Sequence, residues 1–221
     1  MRSFTLRGLT LYLPEEALKG NLERALSSGR YENHEADALL LHLRPGDRFL
    51  DLGAGIGFIC ALVAGVLAED AVFGVEAGPE TIKLARRNLA ANGFQGVKLM
   101  RGAVVGTGAG EVEFGQRPAF WASGLKGPEG WPENADVIRV PSRPIGGLLA
   151  KLAPTVICCD IEGGELEVLT QPLHGVRLVV VETHPQVYGA AGVERIVDVL
   201  AGQGFQPEPR GAKADTLVFR R

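Results

Sequence analysis

The run Asp51-Leu52-Gly53-Ala54-Gly55-Ile56-Gly57 constrains the fold more than any other stretch of this chain. It follows the turn Pro45-Gly46-Asp47 and a short apolar segment, Arg48 to Leu52, that reads as a buried strand. Three glycines at alternating positions between a strand and a helix let the backbone approach a ligand closely and aim N–H groups at it. A strand–turn–helix unit of this kind implies an α/β fold with a site at the carboxyl end of its first strand.

The rest of the chain repeats the unit. Ala71 to Val75, Val97 to Met100, Thr155 to Asp160 and Val176 to Val181 are strand-like, and helical patterns separate most of them. Pro79 opens one helix and Asn92-Gly93 closes it. Glu165 to Leu169 and Val193 to Leu200 carry two more. Strands alternating with helices predict a parallel sheet covered on both faces. The end breaks the rule: Phe205 to Pro207 and Ala214 to Phe219 flank Pro209-Arg210-Gly211 without a helix, so a terminal hairpin is expected, with one edge strand antiparallel to the rest. Ahead of the turn, Leu18, Leu22, Ala25 and Leu26, then Ala36, Leu39, Leu40 and Leu43, recur at helical spacing and predict a helical extension. The stretch from Gly115 to Pro144, with Pro118, Pro128, Pro132, Pro141 and Pro144 beside Phe120, Trp121 and Trp131, reads as a long loop with a short strand at Val137 to Val140.

A chain of 221 residues with 46% hydrophobic content can bury a full core, and a single domain is expected: an extension over 1–44 and an α/β core over 45–221. The net charge of −3 with no Lys/Arg-dense stretch argues against nucleic acid as a partner. Cys60, Cys158 and Cys159 have no metal-binding or disulfide spacing and read as small buried hydrophobes. No apolar run with a cleavage site follows Met1 to Leu6, and the longest apolar stretch, Ile59 to Ala68, is too short to span a bilayer. The expected location is the cytoplasm, with no membrane partner. Nothing in the sequence marks an oligomeric state.

The glycine spacing narrows the ligand. The dinucleotide fingerprint G-x-G-x-x-G fails in both registers, because Phe58 and Cys60 stand where the third glycine belongs. An acid at the strand end suits a ligand with a cationic amino-acid terminus and no pyrophosphate, the character of S-adenosylmethionine (SAM). Asp51 is expected at the methionine portion, at its ammonium directly or through water, with helix capping and turn stabilisation as its structural alternative. Glu76, ending the second strand, can accept both ribose hydroxyls. Gly102 and Ala103 would pass beside the adenine, and Gly53, Ala54, Gly55, Gly57, Phe58 and Ala77 complete the expected cofactor set with Asp160 and Tyr31. Asp160-Ile161-Glu162-Gly163-Gly164-Glu165 and Glu182-Thr183-His184-Pro185 follow the fourth and fifth strands, where ligands of open α/β sheets sit.

Together these pieces resemble the FkbM family of SAM-dependent methyltransferases: Tyr31-Glu32, Asp51 to Phe58, Val75 to Pro79, Asp160 to Leu166 and Val181 to His184, over about Tyr31 to Glu182. The glycine turn is shared by class I methyltransferases in general, whereas the D-x-E-G-x-E-L run is more particular. Gly55 stands where the family often has Asn, and Cys158 where it often has Lys. The resemblance implies a Rossmann-like three-layer fold around a seven-stranded, mostly parallel sheet whose last strand is antiparallel. It also implies methylation of a hydroxyl on a small molecule or glycan.

Methyl transfer to an alcohol calls for a general base. His184 is the first candidate, with Glu162 and Asp160 as alternatives; a strand-terminal structural histidine is the competing role for His184. Asp160, Glu162 and His184 could instead collect a divalent ion, but their spacing is a weak signal and no resident metal is expected. His34, His42 and His174 read as surface residues. Two other classes stay open: a dinucleotide oxidoreductase, and a SAM-binding protein without catalysis.

Overall fold

Every second residue is apolar in Arg2–Leu6 and Leu9–Leu13. These segments pair as antiparallel strands β1 and β2 across Arg7-Gly8, a turn with positive φ at both residues (49° and 83°). A two-residue hairpin favours that conformation because it matches the strand twist. The extension read as wholly helical therefore opens with a hairpin, and Phe4, Leu6, Leu11 and Leu13 are its buried face. Helices α1 (Asn21–Ser27) and α2 (Asn33–His42) follow, with Leu18 ahead of α1 and Leu40 left exposed. The computed structural model describes residues 1–221 apart from 19, 118–122, 128–129 and 132–133.

The α/β core then runs β3 (Phe49–Leu52), α3 (Phe58–Ala64), β4 (Val72–Glu76), α4 (Pro79–Ala91), β5 (Lys98–Arg101), β6 (Ala103–Val105), β7 (Glu111–Gln116), β8 (Asp136–Pro144), α5 (Ile145–Leu152), β9 (Val156–Cys159), α6 (Glu165–Leu169), β10 (Leu178–Glu182), α7 (Pro185–Gly202, broken at Gly189), β11 (Gln206–Pro207) and β12 (Thr216–Arg220). The main sheet has seven strands in the order β11-β12-β10-β9-β3-β4-β5. Strands β5, β4, β3, β9 and β10 are parallel, and β12 runs antiparallel to both neighbours. The antiparallel strand expected at the edge thus lies one place in, with β11 outside it. This is the Rossmann-like three-layer arrangement. Chain order reverses between β3 and β9, so the crevice for a ligand opens at their carboxyl ends.

Strand alternation divides the core. Phe49, Cys158 and Val180 face α2, α3 and the N-terminal hairpin, whereas Leu50, Leu52, Ile157, Cys159, Val179 and Val181 face α5, α6 and α7. The hairpin is fixed to α4 by side chain as well as by packing: the amide oxygens of Asn88 and Asn92 accept from the backbone N–H groups of Tyr12 (2.8 Å) and Thr10 (2.9 Å). All three cysteines are free and buried. No described helix is long and apolar enough to cross a membrane.

The segment read as a long loop with a short strand at Val137 to Val140 carries a longer strand at its end, β8, and its first two residues close β7. β8 pairs antiparallel with β7 and parallel with β6 in a separate three-stranded sheet. Its prolines are tolerated because they stand at ladder ends: Pro141 opposes Glu111, the first residue of β7, and Pro144 opposes Val105, the last of β6. Pro118, Phe120, Trp121, Pro128 and Pro132 lie outside the described residues.

Two contacts give direct tests of this frame. At the amino ends of the strands, buried Asp47 accepts from Arg177 Nε (2.9 Å), Thr155 Oγ1 (2.8 Å) and the Arg44 N–H (2.7 Å). Burial opposes its charge, but these donors outweigh burial and hold the carboxyl below its usual value. Asp47→Ala should cost about 2–3 kcal/mol in urea unfolding near neutral pH. Because the native value is lowered, this contribution is complete above about pH 4 and fades as pH falls through that native value. The difference between wild type and variant should shrink accordingly. At the carboxyl ends, Gly53 has φ 93°, and a Cβ there would stand 1.7 Å from the Asp160 carbonyl oxygen. Gly93 has a similar φ of 84° but open space around it. Gly93→Ala should therefore cost about 1 kcal/mol, the conformational penalty alone. Gly53→Ala should cost several times more, both measured by thermal unfolding.

Candidate functional site

The carboxyl ends of β3, β4, β9 and β10 open into a cavity of about 360 Å³, within the range of small-molecule sites. Its floor is the glycine turn with Glu76 and Ala77. Residues of α1, α2 and the link between them cover it, and Gly102, Ala103, Val104 and Phe114 form one side. Of the expected cofactor residues, Tyr31, Gly53, Gly55, Glu76, Ala77, Gly102, Ala103 and Asp160 line this space.

The turn is built by backbone. The N–H groups of Gly53 (3.0 Å) and Ala54 (2.9 Å) both donate to the Val75 carbonyl, and that of Asp160 donates to Leu52 (2.9 Å). Neighbouring strand exits are thereby locked together. Gly55 stays open to the cavity, and a Cβ there would approach the Tyr31 hydroxyl to 3.4 Å. Glu76 accepts from the Gly55 N–H (3.0 Å) through one oxygen and from the Gly78 N–H (2.6 Å) through the other. Burial pushes its carboxyl up to about 7 against the pull of these amides. Both oxygens keep lone pairs free for a ligand.

Four expected cofactor residues fall outside the cavity wall. Asp51 shares the face of β3 that carries Phe49, so its side chain turns toward α3, where Oδ2 accepts from Cys60 Sγ (3.3 Å). It is buried, and desolvation raises its carboxyl to about 7. The expected direct place beside an ammonium does not match this orientation; the acid packs beneath the turn. Ala54 is buried under the turn, and a Cβ at Gly57 would stand 3.2 Å from Ala85 of α4. Phe58 starts α3 with its ring 6.1 Å from that of Tyr31.

Six carboxylates line the cavity: Glu32, Glu35, Glu76, Asp160, Glu162 and Glu182. Arg30 and His34 are the basic residues among the described residues of the wall, with His34 partly exposed on α2. Burial first, and the neighbouring carboxylates second, raise Asp160 and Glu182; burial also raises Glu32 well above its usual range. Glu35 was not anticipated. Its signal was an acid inside the apolar stripe of α2, beside Ala36, Ala38 and Leu39, and the Thr216 hydroxyl donates to it. A cavity walled this way favours a ligand carrying positive charge.

The loop after β9 brings a second group together. Glu165 is fully buried and its carboxylate accepts from the N–H groups of Ile161 (2.9 Å) and Gly163 (3.0 Å), which ties the loop down. His184, ahead of α7, is only 4% exposed. Its Nε2 lies 3.5 Å from Asp160 Oδ1 and 3.4 Å from Glu162 Oε2, and its Nδ1 lies 3.1 Å from Glu165 Oε1. Asp160 and Glu162 face the cavity while His184 stands behind them, outside the wall. The flanking carboxylates raise the imidazole against the opposing effect of burial, which is the largest single influence.

Residues 43–104 match the model of a methyltransferase domain. Over 63 residues, 28% of this chain and 16% of that protein, the sequence is 41% identical to an arsenite methyltransferase of Halobacterium salinarum. Over 64 residues, 28% of this chain and 30% of that protein, it is 39% identical to protein-L-isoaspartate O-methyltransferase 1 of Archaeoglobus fulgidus. The chain thus spans less than a third of the length of these curated relatives. In fold it is similar to precorrin-6y C5,15-methyltransferase from Geobacter metallireducens, with a TM-score of 0.51 at 14% identity over 95% of this chain and 91% of that one. The glycine turn and the strands beside it thus match a methyltransferase domain over residues 43–104, and the fold around them is the Rossmann-like one of the methyltransferase structures.

Proposed function

We propose that this chain is a SAM-dependent methyltransferase that methylates a hydroxyl of a small molecule or glycan, in the manner of the FkbM family. The observation that carries the donor half is the glycine turn set in a wall of six carboxylates. SAM presents a sulfonium and an ammonium to such a wall, and the open face of Gly55 leaves room for its chain beside the backbone. Glu76 is the acceptor for the ribose hydroxyls, and Gly102 and Ala103 lie where the adenine would pass. Tyr31 and Glu32 close over the turn from the link between α1 and α2. Asp51 acts at one remove, supporting the turn from beneath.

The acceptor half rests on Asp160, Glu162 and His184 together with the D-x-E-G-x-E-L run. When bound, the donor supplies an electrophilic methyl: an acceptor oxygen forms the new C–O bond as the C–S bond breaks, leaving the methylated product, S-adenosylhomocysteine and one proton. The protein's contribution is to orient the acceptor and take that proton. Glu162 and Asp160 present their oxygens to the cavity and so are the groups that can touch a hydroxyl; His184 holds and polarises them from behind. The histidine read as the first candidate for the base thus becomes a positioning residue. A SAM-binding role without turnover is the competing reading, and an acceptor panel with labelled SAM separates the two.

Glu76→Gln removes one charged acceptor, so the Kd for SAM should rise at least tenfold in calorimetric titration. Wild-type binding should weaken as pH falls through about 7, because protonation takes the ribose acceptor away. Asp51 and Glu162 titrate in the same range, so the test is the difference: the Glu76→Gln profile should be flatter than that of wild type. Parallel titration with NAD should give no binding at micromolar level. Glu162→Gln should lower turnover by about 10²- to 10⁴-fold while changing the SAM Kd less than threefold. Full turnover in a folded Glu162→Gln protein would remove Glu162 from proton transfer.

A further inference from the structure

We propose that Asp160, Glu162 and His184 form a binding site for one divalent transition-metal ion of the zinc type. The proposal rests on the geometry of these side chains and not on methyl transfer.

The first observation is the histidine. Its ring is almost completely buried, Nδ1 has no hydrogen-bond partner among the described residues, and Nε2 is aimed between two carboxylates at 3.4 and 3.5 Å. Asp160 Oδ1, one of those oxygens, is itself buried without a partner. A buried carboxylate oxygen left without a donor is costly, and a cation held between Asp160 Oδ1 and the Nε2 beside it would relieve that cost. One ligand atom from each of the three residues lies within 4.8 Å of the others.

The second observation is the spacing. Around an ion held at about 2.1 Å, tetrahedral ligands stand roughly 3.4 Å apart and octahedral neighbours roughly 3.0 Å apart. The two measured separations match the tetrahedral edge. One imidazole with two carboxylates suits Zn²⁺ or Co²⁺ better than Mg²⁺ or Ca²⁺, which prefer oxygen alone. Three protein ligands with a fourth position open is the pattern of a reactive rather than a structural zinc site. Here the open position would face the cavity, since Asp160 and Glu162 belong to its wall.

The third observation lies behind the ring. Glu165 Oε1 is 3.1 Å from His184 Nδ1, off the line of a hydrogen bond, and the two amides of the loop fix its carboxylate. A small rotation of the imidazole would bring Nδ1–H onto it. Metal-bound histidines commonly donate their second nitrogen to such a carboxylate. Glu165 would therefore set the tautomer and present Nε2 to the ion.

The experiment uses tag-free full-length protein freed of metal with a chelator and then dialysed against Zn²⁺ or Co²⁺. One equivalent of Zn²⁺ per chain should remain by elemental analysis, and Co²⁺ should give the intense visible bands of four-coordination. Glu162→Gln, altered at the cavity wall, should lower Zn²⁺ affinity about a hundredfold, and His184→Ala should abolish stoichiometric binding. Glu165→Gln should cost roughly 10- to 100-fold in affinity. Circular dichroism checks that each variant folds. No stoichiometric binding by wild type at micromolar metal, or unchanged affinity in folded Glu162→Gln, would overturn the proposal. Calorimetry with SAM on the metal-free protein is read separately: its failure would sink the donor reading and leave this one standing.

Discussion

Gly53 lies directly against the carbonyl of Asp160, and the site takes its shape from that approach. The exits of β4, β3 and β9 are tied across it by hydrogen bonds from Gly53 and Ala54 to Val75 and from Asp160 to Leu52. Any side chain at 53 would push the loop after β9 away from the turn, and with it Asp160 and Glu162. The glycine turn and the acid group after β9 are therefore not independent features on one sheet. They share a backbone contact at the place where strand order reverses, which is also where an open α/β sheet leaves its crevice.

The same closeness creates the electrostatic character of the cavity. Six carboxylates that would repel one another in water are brought under partial burial, and Glu32, Glu76, Asp160, Glu162 and Glu182 are raised toward neutrality. Such an arrangement is unfavourable by itself. Its cost falls when a cation enters, so the wall selects for ligands that carry positive charge. Stability is supplied elsewhere, by the two apolar layers of the sheet and by contacts such as Asp47 with Arg177 at the opposite end of the strands.

Much of this was legible in the sequence, for reasons that differ between elements. The strands β3, β4, β9 and β10 are buried on both faces and so read as plain apolar runs, while Pro79 and Asn92-Gly93 mark α4 through local chemistry. The hairpins were harder. β1, β2 and β7 carry a period of two, as in Glu111-Val112-Glu113-Phe114, but the windows are short and the prolines of β8 suggested a loop. Their place at ladder ends depends on partners far along the chain. Side-chain direction was the other gap. That Asp51 ends a strand beside a glycine turn is local information; that it faces Cys60 follows from the pleat of β3 and the packing of α3. His184 falls behind its carboxylates for a similar reason, because the fold inserts the loop at Asp160 between it and the cavity.

The reach of the sequence similarity follows the same division of labour. The methyltransferase-domain model matches residues 43–104, around the glycine turn, and the similarity to an arsenite and an isoaspartate methyltransferase runs over 63 and 64 residues. A shared ligand imposes a shared turn, because glycine is required wherever backbone must touch it. The opposite side of the cavity lies outside the matched residues 43–104. In this chain it is assembled from β9, β10, the separate three-stranded sheet and the cover of α1 and α2, elements that the turn positions without dictating their side chains. What distinguishes this cavity from others built on the same turn must therefore lie with Asp160, Glu162, Glu165 and His184 and with the walls contributed by Phe114 and the link between α1 and α2.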